Sequence, residues 1–300
     1  MKIGIALPIA EQDDGTVHRY RQIREMAVNA ERAGFDSLWI FDHLVYRFPE
    51  APTRGVWEAW TFLTGLADAT SRVEIGTIVL CTAFRNPAVL AKMVDALDDL
   101  SDGRLILGLG AGWHQPEFEA FGLPFDHLAS RFEESMEIIA PLVREGAVDF
   151  TGTYYQAPDC VSLPRGPRPG GPPILIAGSK PRMLRLTAKY ADAWNTAWIG
   201  LPTLLPERVA KLEAACVEVG RDPKSIDITV GVTVAYPDLG DVPENVNDTN
   251  YYLTGTAEEI AAGFRAHEAA GVAHLICVTN PFTAPALERL AESYQIYRQG

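Results

Sequence analysis

The stretch at 104–117, RLILGLGAGWHQPE, concentrates residues that could bind a ligand and do chemistry. Its first half has the apolar composition of a strand buried on both faces. Three glycines follow at alternate positions: Gly108, Gly110 and Gly112. Alternate residues of a pleated strand share one side, so these glycines leave room there for a flat group or a close backbone. Trp113 and His114 would lie at the carboxyl end of the strand, where parallel sheets and barrels bind ligands.

Two other interpretations of the glycines remain open. A Gly-x-Gly after a strand also begins the dinucleotide-binding fingerprint, but here the third glycine comes one residue early and Pro116 follows. The pattern therefore disfavours a dinucleotide site. The second interpretation is close packing of the strand without any ligand.

Metal-dependent and glycosidase chemistry fit the sequence poorly. His114 and Glu117 have the i, i+3 spacing at which two helical side chains can share a metal ion, but no third ligand is nearby. The first strand ends in Leu7-Pro8-Ile9, without the His-x-His of amidohydrolase-type metal barrels. A glycosidase needs two carboxylates at strand ends, and neither Trp113 nor Ala235-Tyr236 supplies one. We therefore predict no metal site.

An anion site is predicted where Ala177, Gly178 and Ser179 close one strand and begin a helix. Free backbone N–H groups at a helix N-terminus bind anions. Three cations follow within the next residues: Lys180, Arg182 and Arg185. The alternative is an ordinary helix start whose cations are solvated.

Composition restricts the partners of the chain. With 39 acidic and 26 basic residues the formal net charge is −13, which repels nucleic acid and anionic membranes. The four cysteines are far apart and form no CxxC pair, so they indicate neither a zinc site nor a disulfide framework. The apolar run at the N-terminus is too short for a signal peptide or a spanning helix. We expect a cytoplasmic protein with no nucleic-acid or membrane partner.

Alternation of β-like and amphipathic runs along nearly the whole chain predicts eight βα units. The predicted strands are 2–7, 37–41, 73–81, the glycine-ended strand after Arg104, 173–177, 193–197, 226–235 and 273–278. The predicted helices are 16–33, 56–70, 87–100, 129–145, 181–190, 202–219, 256–270 and 285–297. This pattern predicts an α/β fold, a (β/α)8 TIM barrel formed as a single domain by residues 1–300. An open doubly wound sheet is the alternative, because eight strands do not prove closure.

Two segments interrupt the βα pattern and are predicted to be loop insertions. Residues 150–171 contain too many Pro and Gly for a helix and predict a small hairpin followed by an irregular loop. Residues 237–250 are polar and offer no apolar face to bury, so we expect them to be mobile and to order over a bound ligand.

Five motifs, in this order, resemble those of one known family over nearly the full length of the chain. They are WIFDHL at 39–44, GTIVLCTAFRNPAVLAK at 76–92, RLILGLGAGWHQPEFEAFG at 104–122, ILIAGSKPRMLRLTAKYADAWN at 174–195 and LTGTAEEIAAGFRAHEAAGVAHLIC at 253–277. The chain resembles the luciferase-like flavin-dependent oxidoreductases, in particular the members that use the deazaflavin coenzyme F420. The resemblance implies a TIM barrel with a flavin-type ring at the carboxyl ends of its strands.

The resemblance also implies which residues contact the cofactor, coenzyme F420 or alternatively FMN. A non-prolyl cis peptide behind the ring is implied at Ile78-Val79, and the cofactor phosphate is implied beside the strand that ends at Ala177. The cofactor-binding residues predicted in this way are Ile78, Val79, Cys81, Gly110, Ala111, Gly112, Ala177, Gly178 and Ser179.

Three catalytic residues are predicted: Asp42, His43 and Trp113. In the deazaflavin branch of the family the histidine that matches His43 lies beside the reactive carbon, a place suited to a group that titrates near neutrality. Asp42 is expected to orient His43. Trp113 stands where the family's sugar-phosphate dehydrogenases carry a glutamate acid, which predicts an apolar or aromatic substrate pocket; simple core packing is its alternative role.

The predicted function is hydride transfer between coenzyme F420 and a small organic substrate. An FMN-dependent monooxygenase that uses reduced flavin and oxygen is the alternative, since a flavin reacts readily with oxygen and a deazaflavin does not. A barrel that binds a cofactor without catalysis is a remote further alternative. We expect a homodimer, and we expect the substrate to be selected by Phe48, Trp57, Trp60, Trp198 and the two loop insertions.

Overall fold

The chain folds into a closed barrel of parallel strands surrounded by helices. The computed structural model describes residues 1–12 and 14–300. Within them the barrel strands are β1 (Lys2–Ala6), β2 (Ser37–Ile40), β3 (Glu74–Thr77), β4 (Leu105–Gly110), β5 (Ile174–Ala177), β6 (Ala193–Thr196), β7 (Asp227–Ala235) and β8 (His274–Asn280). Each pairs in parallel with the next, and β8 pairs with β1 through His274 and Lys2, so the ring of strands closes. The predicted TIM barrel is confirmed, and the open sheet is wrong.

The helices cover the outside of the barrel. They are α1 (Tyr20–Ala33), α2 (Ala59–Ala69), α3 (Pro87–Leu100), α4 (Gln115–Ala120), α5 (Leu128–Arg144), α6 (Pro181–Tyr190), α7 (Leu205–Glu218), α8 (Ala257–Ala269) and α9 (Ala284–Arg298). Local signals set several ends: Asn86 caps α3 by accepting from two backbone N–H groups, and Thr256 and Glu259 form a capping box at α8. No helix in the described ranges combines the length and apolar character needed to cross a membrane.

The barrel interior is filled at its amino-terminal end. Trp39 packs there with small and aliphatic side chains of the other strands, and a Cβ on Gly76 would lie only 2.6 Å from its ring. The indole donates to Ser37 Oγ at 2.6 Å, and the same hydroxyl lies 2.7 Å from His274 Nε2. Burial lowers the pKa of His274 to about 3, so this imidazole is neutral. Since side chains fill the amino-terminal half of the barrel, the room for a ligand lies at the carboxyl ends of the strands.

The first predicted insertion lies at the opposite end from these carboxyl ends. Its hairpin is formed by Ala147–Thr151 and Gln156–Val161, as predicted. In the irregular part, Arg168 forms an ion pair with Asp98 and donates to Leu105 O at 2.5 Å. Leu105 is the first residue of β4, so this loop covers the amino-terminal face of the barrel. The expectation that the loop at 150–171 selects the substrate is wrong for this irregular part.

The second predicted insertion, residues 237–250, packs at the carboxyl ends of the barrel strands, against the loop that follows β6. Gly200 N donates to Asn250 O at 2.9 Å, and Leu201 N donates to Thr249 O at 2.5 Å. Val246 is buried, contrary to the expectation of a segment without an apolar residue to bury. A short strand, Tyr252–Thr254, then adds in parallel to β7. Ligand-dependent ordering of this segment stays a prediction.

Candidate active site

A cavity of about 440 Å³ lies at the carboxyl ends of β2 to β6. It brings together nine of the predicted site residues: Asp42, His43, Ile78, Val79, Cys81, Gly110, Gly112, Trp113 and Ala177. Ala111 is not among them, because its side chain packs against the outer core. Four further side chains complete much of the wall: Phe41, Tyr46, Asn195 and Trp198.

His43 is held by a buried carboxylate. Its Nδ1 lies 2.9 Å from Oε1 of Glu117, which is 1% exposed and also accepts from Leu44 N at 2.8 Å. A carboxylate only accepts, so Nδ1 carries the proton and donates. Nε2 has no hydrogen-bond partner in the described part of the chain and is left for the cavity that His43 lines. The pair has the geometry of an imidazole oriented for proton transfer.

Asp42 does not orient His43, so that prediction is wrong. Its carboxylate receives two hydrogen bonds from Arg85, at 2.7 and 3.0 Å, and one from Cys81 N at 2.8 Å. Arg85 also pairs with Glu58, the residue that caps α2. Burial alone would lower the pKa of Arg85, but the two carboxylates outweigh it and raise that pKa. Asp42 therefore anchors the segment around Cys81 to the end of β2.

The third strand is interrupted where the family resemblance implied a cis peptide. The Ile78-Val79 peptide bond is cis, as expected, and a two-residue strand, Leu80–Cys81, then pairs with the end of β4. A Cβ on Gly110 would lie 2.6 Å from Val79 Cγ2, and one on Gly112 would lie 2.7 Å from Cys81 Sγ. The room beside the glycines is thus taken by the protein's own third strand. Burial raises the pKa of Cys81, so its thiol is neutral.

Aromatic side chains surround the mouth of the cavity. Trp113 is 61% exposed, which contradicts its alternative role in core packing. Its ring lies 5.6 Å from that of His43 and stacks on Phe48 at 6.3 Å. Burial raises the pKa of Tyr46, whose ring lies 4.6 Å from His43. These rings give the opening an apolar rim.

His114 and Glu117, whose i, i+3 spacing alone would suit a metal ion, have different hydrogen-bond partners. His114 Nε2 accepts from Arg47 N at 3.0 Å, while Glu117 binds His43. Burial lowers the pKa of His114, in keeping with a neutral ring that accepts a hydrogen bond. The residue thereby fixes the loop that follows β2.

A second cavity, of about 480 Å³, adjoins the first and shares Ala177, Asn195 and Ala197 with it. Gly178 and Ser179 line it, as predicted for an anion site. The cations there are Arg208 and Lys211 of α7.

The cations predicted for this site are directed elsewhere. Arg182 pairs with Glu133 of α5, and Arg185 lies 3.9 Å from Glu218 of α7. Neither lines the second cavity, and neither does Lys180. Arg208 instead donates to Thr196 Oγ1 at 2.7 Å and to Ala197 O at 2.8 Å.

Of the four aromatic residues expected to select the substrate, two lie at the site and two lie away from it. Trp198 lines the first cavity, and Phe48 stands at its rim. Trp60 is buried in the outer core, and Trp57 stacks on Phe62 and donates to His18 O. The sequence did not indicate that Glu117 pairs with His43 or that Arg208 lines the second cavity. The one available signal was the position of Glu117 in the first turn of a short helix after Pro116.

The chain was compared with known families, sequences and structures. The model of the family described as luciferase-like monooxygenase matches residues 1–239. The F420-dependent glucose-6-phosphate dehydrogenase of Kineococcus radiotolerans is 33% identical over 252 residues, which are 79% of this chain and 71% of that enzyme. The pyrimidine monooxygenase RutA of Methylobacterium radiotolerans is 37% identical over 171 residues, 55% of this chain and 44% of that enzyme.

A solved structure has the same fold. It is an F420-dependent secondary alcohol dehydrogenase in complex with an F420-acetone adduct, with a TM-score of 0.80, 22% identity and 99% coverage of both chains. At this identity the likeness is one of fold. The family model, in contrast, spans most of the 300 residues. The chain therefore belongs to the luciferase-like monooxygenase family.

Proposed function

We propose that the protein is an oxidoreductase that transfers a hydride between coenzyme F420 and an organic alcohol or carbonyl compound. The observation that carries the proposal is the His43–Glu117 pair in a cavity at the carboxyl ends of the barrel strands. The 33% identity to an F420-dependent dehydrogenase supports the cofactor.

The two adjoining cavities fit a cofactor with a flat head and an anionic tail. Ile78 and Val79 give the first cavity an apolar wall suited to a ring. Arg208, Lys211 and the backbone that leads into α6 give the second cavity the charge and donors that a phosphate needs. When bound, such a cofactor supplies the ring carbon that accepts or donates the hydride.

His43 acts as the acid–base group in this proposal. An alcohol that loses its carbinol hydrogen as a hydride also loses its hydroxyl proton, and Nε2 of His43 takes that proton. In the reverse direction Nε2 returns it to the carbonyl oxygen. Glu117 keeps Nδ1 protonated and stabilises the imidazolium that forms, as a buried carboxylate does in hydrolase triads.

The second candidate function is flavin-dependent monooxygenation, which the 37% identity to a pyrimidine monooxygenase favours. The two candidates differ in whether the reaction requires oxygen. The protein is mixed under nitrogen with oxidised F420 and a panel of secondary and benzylic alcohols, and cofactor absorbance is followed. We expect cofactor reduction without oxygen, slowed about 10²-fold by His43→Ala while cofactor affinity is kept. Product formed only with reduced FMN and oxygen would establish the second candidate instead.

A further inference from the structure

A third cavity, of about 690 Å³, adjoins the His43 cavity and shares Phe41 and Tyr46 with it. Five aromatic side chains contribute to its lining: Phe41, Tyr46, Phe48, Tyr252 and Phe282. Each of them keeps part of its surface exposed, and Phe48 is 39% exposed. Aromatic faces left partly uncovered in a concave site are typical of pockets for organic ligands.

Carboxylates outnumber cations in this third cavity. Glu11, Asp14 and Asp241 line it, and among the described lining residues Arg54 is the one cation. Arg54 lies over the ring of Tyr46, at 5.5 Å from its centre. The third cavity therefore carries the opposite charge from the second cavity, which holds Arg208 and Lys211.

We propose that the third cavity receives the substrate and that the substrate is an aromatic alcohol or ketone without a negative charge. This inference rests on the proposed function and names the substrate class of the same site. Each carboxylate about 8 Å from a ligand anion weakens its binding about 2.5-fold even in a water-like medium. A phosphate or carboxylate on the substrate would meet that repulsion, whereas a neutral ring packs on the aromatic lining.

The charge preference is tested by binding, apart from turnover. Three probes are used: acetophenone and two para-substituted acetophenones, para-acetylbenzoate and para-acetylphenyltrimethylammonium. The wild-type protein is first saturated with oxidised F420, so that the cationic second cavity is filled. Calorimetric titration at low salt is then expected to give at least about fivefold weaker binding for the carboxylate than for the other two. Equal or tighter binding of para-acetylbenzoate would overturn the proposal, and so would the absence of binding by acetophenone and its cationic analogue.

A charge reversal locates the effect in the third cavity. Asp241→Lys changes the lining by two charges and should tighten para-acetylbenzoate binding about fivefold, an effect that shrinks at high salt. Glu244→Lys is the matched control, because Glu244 lies in the same segment, is exposed and does not line this cavity. Equal effects of the two variants would overturn the assignment of the cavity.

Failure of this inference can be told from failure of the proposed function. If the neutral and cationic probes bind as expected but no alcohol or ketone exchanges a hydride with F420, the proposed function fails, and what stands is the preference of the third cavity for aromatic compounds without a negative charge. If the protein reduces F420 with a sugar phosphate such as glucose 6-phosphate, the substrate class is wrong and the proposed function stands.

Discussion

Replacing Glu117 by Gln removes one charge from the centre of the site with little change in shape. The carboxylate accepts from both His43 Nδ1, at 2.9 Å, and Leu44 N, at 2.8 Å. An amide has one acceptor oxygen, so it can satisfy one of these donors and turns its own N–H groups towards the other. The imidazole then loses its charge-assisted hydrogen bond or adopts the other tautomer. In either state Nε2 is a poorer acceptor for the substrate proton.

A hydrogen bond to a charged group contributes about 1.5–3 kcal/mol, which corresponds to about 10- to 100-fold in rate. We therefore expect Glu117→Gln to lower kcat by that factor while the Kd for the cofactor changes little. Initial rates and cofactor titrations measure the two quantities, and the melting temperature reports on folding. Glu119→Gln is the matched control, since Glu119 lies on the same helix, is exposed and pairs with Gln115. A folded Glu117→Gln enzyme with an unchanged kcat would refute the role of the pair.

Three further outcomes are expected. Gly110→Ala should lower the free energy of unfolding by about 1–3 kcal/mol and weaken cofactor binding, because the new Cβ would lie 2.6 Å from Val79 Cγ2. Adding Val79→Ala should restore the stability, and a double variant no more stable than the single one would contradict this. Arg208→Ala should weaken cofactor binding about tenfold at low salt, whereas Arg185→Ala, outside the cavity, should leave it unchanged in the same fluorescence titration. The pKa of His274 is lowered to about 3, so between pH about 6.5 and about 3 the unfolded chain binds this proton and the folded chain does not. Within that window the free energy of unfolding should fall by about 1.4 kcal/mol for each unit by which the pH is lowered, a slope that His274→Gln should reduce in urea titrations.

Elements with local signals could be predicted from the sequence. The helix predicted at 87–100 has these bounds in the structure, because Asn86 caps it and Pro87 occupies its first turn. The β runs and their glycine stops repeat often enough to predict a barrel. The second predicted insertion does connect β7 to the next strand, although Val246 within it is buried and its end binds the loop at 200–201 through Thr249 and Asn250.

Side-chain partners that are distant in the sequence could not be predicted from local signals. Asp42 was chosen as the partner of His43 because the two are adjacent, yet neighbouring side chains of an extended segment point in opposite directions. Asp42 meets Arg85, and His43 meets Glu117, which lies 74 residues further along the chain. The prediction of the cations at the anion site is wrong for a related reason, because Arg182 lies on the face of its helix that meets α5.

Connectivity alone predicts the position of the first insertion and argues against its expected role in substrate selection. Residues 150–171 follow a helix and precede β5, and in a TIM barrel such connections lie on the face opposite the active site. The contact of Arg168 with the beginning of β4 agrees with that rule.

The proposed function requires that the carbinol hydrogen of an organic substrate moves directly to the ring of F420. Under nitrogen, the wild-type protein is incubated with oxidised F420 and 1-phenylethanol that carries deuterium on its carbinol carbon, and the cofactor is analysed by mass spectrometry. We expect reduced F420 to gain one deuterium and Glu117→Gln to slow this gain about 10- to 100-fold. Reduced F420 without deuterium, or turnover that requires FMN and oxygen, would contradict the proposed function.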